Sequence, residues 1–138
     1  MRRIFERIYP YVVGGLSALF FQYFVDEFPS GEGIHSATIT LGAILTGFLA
    51  TVKSIAISTD NVSMRRLKET KFFPLLISYL REAIYCALLF SMLGLIGFFQ
   101  DYNNISHLFG LIWFAFVGIN FGTFIRVTHN LINIIAIN

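Results

Sequence analysis

Apolar runs of about 17 to 22 residues, recurring four times between short polar breaks, restrict what this chain can fold into more than any other feature. An α-helix needs about 20 residues to cross the hydrocarbon of a bilayer, and these runs have that length. The first is Tyr9 to Val25, with Pro10 expected in the first helical turn, where its missing N–H would have no helical partner. The second runs from about Ala37 to Ser58. The third can be drawn over 74–99, although its uninterrupted apolar part is only Ala83 to Phe99, which puts Arg81 and Glu82 near one membrane face. The fourth covers about Leu108 to Ile125, and the tail RVTHNLINIIAIN reads as an interfacial continuation.

Composition agrees with the pattern. Hydrophobic residues make up 56% of the chain and charged residues 13%, against about 25% charged in soluble domains. No water-soluble fold of 138 residues has interior enough to hide that much apolar surface. The expected fold is therefore an all-α integral membrane protein with four transmembrane helices, both termini cytoplasmic, in one domain over 1–138.

Orientation follows from the distribution of Lys and Arg in the short flanking segments. With the N-terminus inside, Arg2, Arg3, Arg7, Lys53, Arg65, Arg66, Lys68, Lys71, Arg81 and Arg126 all fall on the cytoplasmic side, which accounts for all 10 Lys and Arg residues. The two outer loops then hold Asp26, Glu27, Glu32 and Asp101 and no cation. Tyr9 and Tyr11 at the inner boundary, with Tyr23 and Tyr102 at the outer, suit interfacial aromatic belts. A secretory signal is rejected, because Tyr9 to Val25 is long, rich in aromatics and lacks a small-residue cleavage pattern.

Several function classes drop out. The connections reach about 15 residues at most, too few for a soluble catalytic domain. No G-x-S-x-G, Walker loop, HExxH or intramembrane carboxylate pair occurs, so an enzyme is not expected. A net charge of +2 gives no basic face for nucleic acid. Cys86 is the only cysteine, which rules out an intrachain disulfide. His35, His107 and His129 have no metal-ligand spacing, and no cofactor is expected.

What remains are polar and small residues inside the runs. On the second span Ser36, Thr40, Ala43, Gly47, Thr51, Ser54 and Ser58 recur at steps of three or four, so they share one helical stripe. Small residues of this kind let helices pack closely, and hydroxyls can bond across the contact. The same stripe could instead be a pore wall, its hydroxyls hydrating a passing ion. Lys53 and Glu82 both lie toward the inner boundary and are the preferred interhelical ion pair, with independent snorkelling as the alternative. Gly118 and Gly122 form a GxxxG step that favours a close helix contact. Asn120, between them on another face, suits an interhelical hydrogen bond, or else a channel lining. Asp26, Glu27, Glu32 and Asp101 would form an acidic outer mouth that concentrates cations if copies assembled around an axis.

With this layout the chain resembles the RexB family of small prophage-encoded membrane proteins, part of the Rex phage-exclusion system. The likeness rests on length and four spans, on Pro10-Tyr11-Val12-Val13 opening the first span and on the Pro29-Ser30-Gly31 outer turn. It continues in Arg65-Arg66-Leu67 after the second span and in Asn130-Leu131 near the end. The resemblance implies an ion channel of the bacterial inner membrane that depolarises the infected cell and so aborts phage growth. A lone bundle of four short helices fills its own centre, so conduction implies a homo-oligomer. The expected partners are the lipid bilayer, further copies of the chain and a cytoplasmic activator protein. A holin-like lysis protein and a non-conducting membrane subunit of a larger complex are the competing readings.

Overall fold

A computed structural model describes residues 2–25, 28, 31–59, 65, 68–70, 72–100 and 107–136. Among these residues it contains four long helices, α1 (Arg2–Phe24), α2 (Glu32–Ser58), α3 (Phe72–Gly97) and α4 (His107–Ala136). The stretches Gly33–Ser58, Phe72–Gly97 and His107–Asn133 are long and apolar enough to cross a membrane. Large apolar side chains are exposed on all four helices, among them Phe5, Leu16, Phe48, Met92 and Phe121. That surface suits lipid and not water.

The helices form a row in the order α1, α4, α3, α2. Each seam is antiparallel. Along α1 and α4, Gly122 sits against Pro10, Gly118 against Val13 and Gly14, and Gly110 against Phe21. Along α3 and α4, Glu82 meets Arg126 and Phe90 meets Trp113. Along α2 and α3, Gly42 lies against Ala87 and Ser91, and Gly94 against Thr38. The start of α1, the end of α2, the start of α3 and the end of α4 therefore lie at one end of the row. At that end the core is aliphatic and built on Leu49, Leu76, Leu80, Ala83 and Val127, with Tyr79 among them. At the other it is aromatic, with Phe21, Phe28 and Phe109 buried together.

The helices outrun the apolar segments. α1 begins at Arg2 and α4 continues to Ala136, so the tail after Ile125 belongs to the same helix. Pro10, expected in the first turn, is interior to α1. Its ring nitrogen cannot donate to the Glu6 carbonyl four residues earlier, so the backbone ladder is interrupted there. The helix tolerates this because Arg126 of α4 reaches the same carbonyl, with Nη1 3.5 Å from the Glu6 oxygen.

The GxxxG step of α4 is a packing element. A Cβ on Gly118 would lie 2.7 Å from the Val13 carbonyl oxygen, and one on Gly122 would lie 2.7 Å from the Pro10 Cα. Only glycine leaves room for α1 to approach this closely.

Candidate functional site

Two polar features stand out on an otherwise apolar row of helices. One is a charged cluster where α1, α3 and α4 meet; the other is the small-residue stripe of α2.

In the cluster, Arg126 Nη2 donates to Glu82 Oε2 at 2.9 Å. The Tyr11 hydroxyl donates to the other carboxylate oxygen, Oε1, at 2.6 Å. The Arg126 guanidinium also lies over the Tyr79 ring, 4.1 Å from its centroid. Arg126 is 4% exposed. The Glu82 side chain is 24% exposed. Charges withdrawn from water to this degree are tolerable only when paired and hydrogen-bonded. Here one carboxylate collects an arginine and a phenol, while the arginine also gains a backbone carbonyl and an aromatic face.

Lys53 is not the partner of Glu82, which corrects the expected ion pair. The reason is angular. Glu82 and Ser91 are nine residues apart on α3, about two and a half turns, which sets them on opposite sides of the helix. Ser91 faces α2, with its hydroxyl 3.4 Å from the Ile39 carbonyl. Glu82 must therefore face away from α2 and toward α4 and α1. Arg81 is exposed, and Lys53 is half-buried on α2.

Arg126 is the residue that sequence reasoning misplaced, as a cation just beyond the fourth run. A signal for it was present. Asn120, Thr123, Arg126 and Asn130 recur at steps of three and four, and all four are buried, so the inward face of α4 runs on past Ile125. Asn120 makes an interhelical contact, its Nδ2 donating to the Phe116 carbonyl at 2.8 Å and lying 3.4 Å from the Cys86 carbonyl of α3. Thr123 and Asn130 satisfy themselves on carbonyls of their own helix.

The α2 stripe has the opposite exposure. Ser36, Thr40, Ala43, Gly47, Thr51, Ser54 and Ser58 are all exposed, and a Cβ on Gly47 would meet nothing within 4 Å. Gly42, which faces α3, and Thr51 are also nine residues apart, so the stripe looks away from the rest of the row. The seam between α2 and α3 does not use it. Asn120 lies in the contact between α3 and α4, so the two sets of candidate lining residues do not share a surface. Asp26, Glu27 and Asp101 of the acidic outer group lie outside the described residues. Glu32 opens α2, with its side chain outside them. Among the described residues, no three His, Cys, Asp or Glu side chains converge as a metal site requires.

The chain matches no family model, no characterised protein and no solved structure.

Proposed function

We propose that the chain is a multi-pass protein of the bacterial inner membrane that assembles with copies of itself and conducts small cations along the exposed face of α2. The observation that carries this reading is the outward display of Thr40, Gly47, Thr51, Ser54 and Ser58 along the length of α2. A hydroxyl-bearing face turned from its own bundle gains nothing from hydrocarbon, whereas around a shared axis it would form a wettable wall. α1 is read as a fourth span, because its Pro10–Phe21 stretch runs beside Gly122–Gly110 of α4 at the same level. Both termini then face the cytoplasm, with the cations on that side. The role in phage exclusion, and the cytoplasmic activator with it, comes from the resemblance to RexB proteins.

Thr51 favours a second reading. Its hydroxyl donates to the Gly47 carbonyl at 2.8 Å and so needs neither water nor an ion. On that reading the stripe is a dry seam between copies of a non-conducting subunit.

Labelling of engineered cysteines tests the topology first. Residues 30 and 103 should react from outside, and residues 66 and 135 only after permeabilisation; periplasmic labelling of residue 66 would overturn the arrangement. Flux then separates the two readings of α2. If the stripe is a wall, Thr51→Cys and Ser54→Cys in liposomes should react with water-soluble thiol reagents and lose most of their cation flux. Gly47→Leu should then block conduction with assembly intact. Unreactive cysteines, together with an oligomer broken by Gly47→Leu, would establish the seam instead. A folded oligomer without flux under activating conditions would sink the channel.

A further inference from the structure

Beside the polar features lies an apolar slot between α2 and α4, the two helices that flank α3. They meet at two levels that bracket it. At one, the Trp113 indole N–H donates to the Thr38 hydroxyl at 3.0 Å. At the other, the rings of Phe48 and Phe124 approach to 6.3 Å between centroids. Beside these bridges lies an open-sided cavity of about 420 Å³. Ala37, Leu41 and Leu45 form one wall, Val117 and Phe121 the other, and Phe90 of α3 the floor. The slot opens to the outside, since Leu41 is 40% exposed and Phe121 55%.

We infer that this slot holds one acyl chain of a membrane phospholipid. Three observations select that occupant. The first is length: Thr38 to Phe48 spans about 15 Å along α2, and one leaflet supplies half of a hydrocarbon core about 30 Å thick. The second is the pair of bridges. A membrane-crossing helix of a second copy is about 10 to 12 Å across and about 30 Å long, and it cannot lie in a slot closed at both ends. The third is the lining. The Thr38 hydroxyl is already engaged by Trp113 and by the Ile34 carbonyl, and the Asn120 amide N–H₂ by Phe116 and Cys86. A trapped water needs two to four polar partners, and these groups are committed elsewhere. A thin, flexible hydrocarbon chain entering from the side is the ligand that fits. The inference is independent of conduction.

Trp113 makes the test direct, because it is the only tryptophan of the chain and borders the slot. The full-length protein in detergent micelles, stripped of bulk lipid, is titrated with a phosphatidylcholine carrying bromine atoms on one acyl chain. Trp113 fluorescence should fall by more than half and saturate near one lipid per chain. Ala37→Phe and, separately, Val117→Phe should remove the saturable quenching while leaving the helical circular dichroism unchanged. Leu88→Phe, on the exposed side of α3, should leave the titration unaltered. If one slot variant fails to fold, the other decides. Mass spectrometry of the intact wild-type protein, counting retained phospholipid, gives a further check. Quenching that rises without saturation and is the same in wild type and filled variants would overturn the proposal, as would an unquenched wild type whose slot is covered by another copy.

Discussion

Removing either member of the Glu82–Arg126 pair is expected to destabilise the protein by about 3 to 5 kcal/mol, the range for stranding one charge of a buried pair. Glu82→Leu leaves the guanidinium over the Tyr79 ring with the Glu6 carbonyl as its acceptor and no carboxylate beside it. Arg126→Met leaves a carboxylate that, among the described residues, keeps the Tyr11 hydroxyl as its donor, inside a segment long and apolar enough to span a membrane. The double variant Glu82→Leu/Arg126→Met should recover most of the loss, since apolar residues of similar volume often replace a buried pair at little cost. A double-mutant cycle should therefore show coupling of about 3 kcal/mol or more, read from unfolding followed by circular dichroism in mixed micelles. Lys53→Met is the control and should change stability by less than about 0.5 kcal/mol. Additive single effects, or a Lys53 variant as damaging as the Arg126 variant, would remove the cluster from the account of stability.

The second large effect is expected at the α1–α4 seam. Gly118→Leu and Gly122→Leu should each drive α1 off α4, because the first atom of the new side chain already meets the backbone of Val13 or Pro10. Overpacking a tight contact costs about 1 to 3 kcal/mol and occasionally more. Here the obstacle is main chain, which cannot rotate aside, so the upper part of that range applies. Moving α1 also pulls Tyr11 from Glu82 and the Glu6 carbonyl from Arg126, so the loss should exceed that of Gly15→Leu, where a Cβ meets nothing within 4 Å. Crosslinking between Ser17→Cys and Ala115→Cys reads the separation directly. Full crosslinking in the Gly118→Leu background would show that the seam tolerates bulk, and the glycines would then be incidental.

The apolar runs were legible in the sequence because a helix in lipid is a local solution. Its backbone bonds close within the segment, and its length follows from hydrocarbon thickness. The close-approach role of Gly118 and Gly122 was legible for a similar reason, since a missing side chain allows close contact with any partner. Helix ends were less so. Arg2, Arg3 and Arg7 interrupt apolarity without interrupting helical geometry, and the same holds for the residues after Ile125 in α4. Pro10 was misplaced with them, because what it lacks is repaired by a side chain from the far end of the chain.

Partnership was not legible. Lys53 and Glu82 are neighbours in a two-helix hairpin drawn on paper, but α3 can present Glu82 to only one side. That side is set by which face carries Ala87, Ser91 and Gly94 into the contact with α2. The row order α1, α4, α3, α2 then brings Tyr11, Glu82 and Arg126 together from three helices. The sequence by itself determined that helices form over the apolar runs and that Gly118 and Gly122 permit a close approach, because these depend on backbone bonding and local shape. Only the tertiary structure decided that the α2 stripe looks outward and that Arg126 is the cation on Glu82, because the rotation of each helix about its axis is fixed by the sum of its contacts and not by any one segment.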